Sequence, residues 1–271
     1  MKAYIKDGWQ VTAKHFPIIS ILFLYQLLWG FFLYRFIGAI IVPLLKRYPD
    51  VMGTDSAAQL FLVEAQFQLL KTDIIYPYLW ALAGLFGIRM VITPLINAGL
   101  FHSLQHISDK GGTTFFIGIR RSWKPVAIIY YAEQLLAFGP LLWLIPLCKR
   151  TAAESLSLAD MTAALVPYLL CWILWCAAIR LLSLSLQFGA AAGQSFANSL
   201  MQASRTFLPL AGVSLAMWGI GILIGAASSA ASLFWAGLLA VMLHQAHHFI
   251  RTWLKVWTLA AQHKAWKSKE V

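Results

Sequence analysis

Glu133 is the lone acid inside any long apolar run of this chain, eight residues after Pro125 and about 12 Å along a helix from where that run begins. Arg89 and Arg180 lie at comparable depth in two runs that return the other way. Ionisable groups at such positions are costly and mark either a polar pathway or a structural tie. Pairing Glu133 with one of these arginines would neutralise both and fix which helices are neighbours. Glu133, Arg89 and Arg180 are therefore the candidate intramembrane polar site, a tie in one reading and a proton or ion station in the other. Arg35 differs, because it stands eighteen residues beyond Pro17, about 27 Å of helix, where its stem reaches the far headgroups.

Histidines form the second constellation. His244, His247 and His248 occupy i, i+3 and i+4, and His102 and His106 are also four apart. Two histidines at that spacing can share a metal on one helical face, which makes the first three metal candidates. No Glu follows either leading His as in a zincin, so the competing role is hydrogen bonding to headgroups and helix ends. Cys148, Cys171 and Cys176 make no disulfide framework. There is no G-x-S-x-G, no P-loop and no G-x-G-x-x-G. The expectation is a protein without catalytic residues or cofactor, dependent on a partner for any ATP-driven role.

The elements that must position these residues follow from composition. Of 271 residues 60% are hydrophobic and 11% charged, where a soluble domain carries about 25% charged. Apolar runs extend over Phe16 to Leu45, Ile74 to Leu104, Pro125 to Leu147, Met161 to Phe188, Phe207 to Ala227 and Ser232 to Ile250. Each is long enough to span a bilayer, so the expectation is an all-α polytopic membrane protein with six transmembrane helices. The first run is too long for a signal peptide.

Basic residues set the orientation. The N-terminus (Lys2, Lys6, Lys14), the second connection (Lys110, Arg120, Arg121, Lys124), the fourth (Arg205) and the tail (Lys255, Lys264, Lys267, Lys269) outnumber Lys46, Arg47, Lys71, Lys149 and Arg150 on the alternate side. Both termini are thus expected in the cytoplasm of a bacterial cell, with the protein multi-pass in the cell membrane. The net charge of +11 reports this asymmetry and not a nucleic-acid partner.

A repeat organises the runs. Lys14-His15-Phe16-Pro17, Ser122-Trp123-Lys124-Pro125 and Thr206-Phe207-Leu208-Pro209 open the odd spans, while Arg89, Arg180 and Arg251 recur near the cytoplasmic ends of the even ones. Before each proline an amphipathic stretch places Ile5, Trp9 and Phe16, or Phe115, Ile119 and Trp123, or Phe196, Leu200, Ala203 and Phe207, on one helical face. Such stretches suit interfacial helices, each ended by the proline that opens the span. The chain reads as one membrane domain, 1–271, of three tandem helix-pair repeats, 1–106, 107–190 and 191–271.

Three further elements carry expectations. Leu60, Val63, Phe67 and Leu70 predict an amphipathic helix in the long outer connection. Gly221 and Gly225 form a G-x-x-x-G suited to packing against span six, and Pro94, Pro140 and Pro146 could kink spans two and three. Trp253, Trp257, Lys264, Trp266, Lys267 and Lys269 suit an anchor on anionic lipid or a dock for a partner protein at the cytoplasmic face.

The proline-opened odd spans, with the stretches Gly118 to Lys124 and Ser195 to Phe207 before them, resemble those of uncharacterised six-helix bacterial membrane proteins. The layout is similar to the membrane domain fused to some glycerophosphodiester phosphodiesterases. The resemblance implies no catalytic activity, since the chain has no room for that family's hydrolase domain. Two functions are compatible with these features: a transport-related membrane subunit without its own ATPase, or a non-catalytic scaffold that docks a partner or organises lipid.

Overall fold

The computed structural model describes residues 2–47, 76–106, 113–154, 158–234 and 238–268. These residues are helical almost throughout and contain no strand. The helices are α1 (Lys2–Lys14), α2 (Phe16–Arg47), α3 (Tyr76–Gln105), α4 (Thr113–Phe138), α5 (Leu141–Glu154), α6 (Leu158–Ala192), α7 (Phe196–Phe234) and α8 (Leu238–Lys267). Among the described residues, five stretches are long and apolar enough to cross a membrane: Phe16–Ala39, Trp80–Gln105, Thr113–Cys148, Ala163–Ala192 and Phe196–Ala231. The sixth expected span, Ser232 to Ile250, includes residues 235–237 outside the described set and is not among the five. The expected helix at Leu60 to Leu70 also lies outside the described residues.

The chain divides into two compact units. Residues 21–93 form one, in which Tyr25 meets the Trp29 ring edge-on. Met1–Ser20 and Pro94–Val271 form the other, in which α1 packs on α8, α7 on both α6 and α8, and α4 and α5 on α6. The division falls inside α2 and α3.

Prolines break the helices less often than the sequence suggests. Pro125 and Pro209 sit inside continuous helices, so the amphipathic stretch and the span that follows are one element in both α4 and α7. A proline frees only the carbonyl four residues back. Those carbonyls belong to Arg121 and Arg205, both exposed, where an outside donor can satisfy them. Pro94 and Pro146 are likewise inside helices. At Pro17 the expected break occurs, and a histidine makes it. The His15 ring meets the Val11 carbonyl through Nδ1 at 2.7 Å, taking the acceptor that a continuing helix would offer to the His15 backbone N–H. That N–H turns instead to the Thr12 carbonyl.

The other break is at Gly139-Pro140, between α4 and α5. Proline there deprives the Leu136 carbonyl of its helical donor, and the turn also frees that of Ala137. Two indoles from α6 replace them: Trp175 Nε1 donates to Leu136 at 2.9 Å and Trp172 Nε1 to Ala137 at 3.0 Å.

Close backbone packing is found away from the G-x-x-x-G pair. A methyl group at Gly221 or Gly225 would meet no described atom within 4 Å. At Gly99 it would stand 2.8 Å from the Phe115 ring, at Gly189 it would overlap Ser199, and at Gly8 it would stand 2.9 Å from the backbone of Ala261. These three contacts share a register. Gly99, Gly189 and Ala261 follow Arg89, Arg180 and Arg251 by ten, nine and ten residues, and Phe115, Ser199 and Gly8 precede Pro125, Pro209 and Pro17 by ten, ten and nine. The pre-proline stretches of α4 and α7 thus pack on the even helix before them, and α1 packs on the last. Their predicted apolar stripes are split: Phe115 and Ala203 are buried, whereas Trp9, Phe16, Trp123, Phe196 and Leu200 remain exposed.

Overpacking a tight contact costs about 1–3 kcal/mol, whereas Gly to Ala in open helix gains up to about 1 kcal/mol. Gly8→Ala and Gly118→Ala, the latter built against the His102 side chain, should each lower the thermal unfolding temperature in detergent. Gly221→Ala should leave it unchanged or raise it. Equal losses at all three positions would contradict the assignment.

Candidate functional site

Glu133 lies on α4 with its side chain 5% exposed, opposite one face of α6. Arg180, Ser183 and Gln187 occupy i, i+3 and i+7 on that face, and all three reach the carboxylate. Arg180 Nη1 donates to Oε1 at 2.7 Å, Ser183 Oγ to Oε2 at 2.6 Å, and Gln187 Nε2 to Oε2 at 3.1 Å. Gln187 Nε2 also lies 2.9 Å from Ser183 Oγ, so the serine accepts there while donating to the acid. Every partner is a donor, as an ionised carboxylate requires.

Arg89 lies outside the unit that holds this acid. It belongs to the unit of residues 21–93, where its guanidinium lies over the Trp29 ring, 6.0 Å from the centroid. Of the two expected pairings, the structure makes that with Arg180. Ser183 and Gln187 were not singled out from sequence, although their spacing from Arg180 is a helical face in plain view.

His247 and His248 have ring centroids 6.4 Å apart, and the His244 side chain lies outside the described residues. The His102 and His106 rings stand 4.4 Å apart, with His106 Nδ1 within hydrogen-bonding distance, 3.1 Å, of the His102 carbonyl. Among the described residues no three His, Cys, Asp or Glu side chains are grouped to hold a metal.

A different histidine has the most altered surroundings. His263 on α8 is buried, stacked on Trp266 at 5.8 Å and edge-on to Phe188 at 5.2 Å, which in turn meets Phe101 at 4.9 Å. Burial, reinforced by Lys267 and Lys264, lowers its pKa to about 4. Polar links tie the helices around this aromatic cluster. Gln105 donates to the Phe188 carbonyl, Gln202 to that of Trp266, and Gln262 to Ser214 Oγ. His15 Nε2 lies 3.3 Å from the Ser103 carbonyl.

The helices and their apolar surface define a multi-pass helical membrane protein. No family model, no curated protein and no solved structure matches the chain.

The unequal exposure of the ion pair sets the order of its mutational effects. Arg180 is 47% exposed, so Glu133→Gln leaves a cation that outside groups can satisfy. Arg180→Gln leaves a buried carboxylate without its cation. Breaking a fully buried pair costs about 3–5 kcal/mol, and partial exposure reduces this. In detergent melts the loss should be largest for Arg180→Gln, smaller for Glu133→Gln and near zero for Arg89→Gln. Equal losses for the two arginine variants would refute the assignment.

His263 predicts a pH dependence. Its folded pKa lies below its unfolded value near 6.5, so the unfolded chain binds the extra proton first as pH falls. This contribution is fully present above about pH 6.5 and is lost towards pH 4, a change of about 3 kcal/mol at 1.36 kcal/mol per unit. Melting temperatures across that window should fall for the wild type and fall less steeply for His263→Gln.

Proposed function

We propose that the protein is a non-catalytic membrane scaffold whose cytoplasmic end holds lipid or a partner protein. The observation that carries this reading is the Glu133 carboxylate, which has both oxygens committed to donors on α6. An acid held this way ties two helices, with three of its about four lone-pair sites occupied and one, on Oε1, left for a passing proton or ion.

The scaffold is read as six spans in three tandem pairs, 1–106, 107–190 and 191–271, with both termini in the cytoplasm of a bacterial cell. The shared register of arginine, small residue and pre-proline contact supports the repeat. The likeness in layout to the membrane domain fused to glycerophosphodiester phosphodiesterases belongs to the same reading. Exposure supports a membrane boundary. Exposed large apolar side chains end at Val91 on α3, Trp175 on α6 and Ile250 on α8, close to Arg89, Arg180 and Arg251. We place the inner headgroup layer at Arg180 and Arg251.

Beyond that layer α1 and α8 form the platform. Trp257 Nε1 donates to the Ile5 carbonyl, and Trp9 packs against Trp253 and Trp257. Exposed Trp9, Phe16, Lys6 and Lys255 give this face the aromatic and basic character of an inner-leaflet anchor. A transport-related subunit is the second reading, and the half-exposed Arg180 favours it, because a cation in a span commonly faces a water-filled path.

Cysteine accessibility separates the two. In a chain with Cys148, Cys171 and Cys176 replaced by alanine, Ser183→Cys should resist a membrane-impermeant thiol reagent from both sides of sealed vesicles. Trp9→Cys should react from the cytoplasmic side only. Rapid modification at position 183 would overturn the scaffold in favour of transport.

A further inference from the structure

Arg180 is held by an acid yet left half open. Its described hydrogen bond uses Nη1, and the remaining N–H donors of the guanidinium fork have no described partner. The side chain nevertheless keeps 47% of its surface exposed.

Its place on α6 gives that exposure meaning. Before it, Leu170, Ile173, Leu174 and Trp175 are exposed apolar residues; after it, Ser183, Leu184, Ser185, Gln187 and Phe188 are buried. Arg180 is therefore the last exposed side chain of the apolar face before α6 enters the packed unit. Glu133 holds Nη1 of a planar fork, which limits how its Nε–Nη2 edge can turn. A pre-oriented guanidinium edge matches two oxygens of a phosphate.

We infer that Arg180 is a phosphate-binding residue whose outer guanidinium edge takes the phosphate of a phospholipid headgroup. The inference deepens the scaffold reading and rests on the headgroup boundary placed at Arg180. Glu133 acts here as a positioning residue. The acid also explains the choice of arginine, since an ammonium is a point charge that cannot give one nitrogen of a rigid fork to the carboxylate while aiming a planar edge at the phosphate.

The test is native mass spectrometry of the full chain with added phosphatidylglycerol. The wild type should retain one lipid more tightly than Arg180→Gln by roughly tenfold, about 1.4 kcal/mol. Arg180→Lys keeps a charge for Glu133 and guards against misfolding; it should elute as the wild type does on size exclusion and still lose the lipid. Retention that survives millimolar inorganic phosphate assigns the site to lipid. Displacement keeps the phosphate site but assigns it to the free ion and overturns the lipid. Undiminished retention in both variants overturns the inference.

An environment-sensitive fluorophore on Ala177→Cys, one turn from Arg180 and exposed, tests the boundary separately. Interfacial emission with undiminished retention in the variants overturns the phosphate site alone. Emission from a hydrocarbon environment overturns the boundary and the inference together.

Discussion

A carboxylate removed from water needs donors for its lone pairs and a cation for its charge. Glu133 obtains a cation and three donors from a single face of α6, which ties α4 to that helix at one position along its length. A second lock stands a turn away on α4, where Trp172 and Trp175 satisfy the carbonyls released at Pro140. The two locks run in opposite directions along the helices: higher numbers on α4 meet lower numbers on α6. Antiparallel register is thereby fixed by hydrogen bonds, and a slip of one turn would expose either the acid or two carbonyls. Both are expensive errors where no water is at hand.

Two kinds of helix contact recur in the packed unit. One is close approach at small residues, seen where Gly8 meets Ala261, Gly99 meets Phe115 and Gly189 meets Ser199. The other is polar contact between helices, from Gln105, Gln202 and Gln262 as well as Glu133. The exposed faces of Leu135, Leu142, Leu208 and Leu215 take no part in it and present hydrocarbon outward.

A lone acid with arginines at matching depth is legible as an ion pair, but depth does not decide which arginine. Three and seven residues after Arg180 stand Ser183 and Gln187, and four and eight after Arg89 stand Thr93 and Asn97, so each arginine heads a face with further donors. The proline breaks were harder. Pro17, Pro125 and Pro209 look alike in sequence, yet only the first interrupts a helix, because the His15 ring competes for the Val11 carbonyl. Side-chain competition of that kind depends on rotamers that no spacing rule contains. At the G-x-x-x-G pair spacing shows where close approach is permitted, while the close approaches among the described residues are at Gly8, Gly99 and Gly189.

Helix length bears on where the buried polar residues belong. At 1.5 Å per residue the 35 residues of α6 extend about 52 Å and the 39 of α7 about 58 Å, against a hydrocarbon core of about 30 Å. Tilt absorbs part of the excess but not some 20 Å of it. The surplus must stand outside the bilayer, and burial indicates at which end. Beyond Arg180 and Arg251 the helices bury Ser183, Ser185, Gln187, Thr252, Gln262 and His263, a composition suited to a soluble core and not to lipid. On the proposed boundary, Glu133 is then less an acid lost in the membrane than the uppermost member of this polar core. Its role is to close the core where the hydrocarbon begins, which is also where an arginine can face both ways.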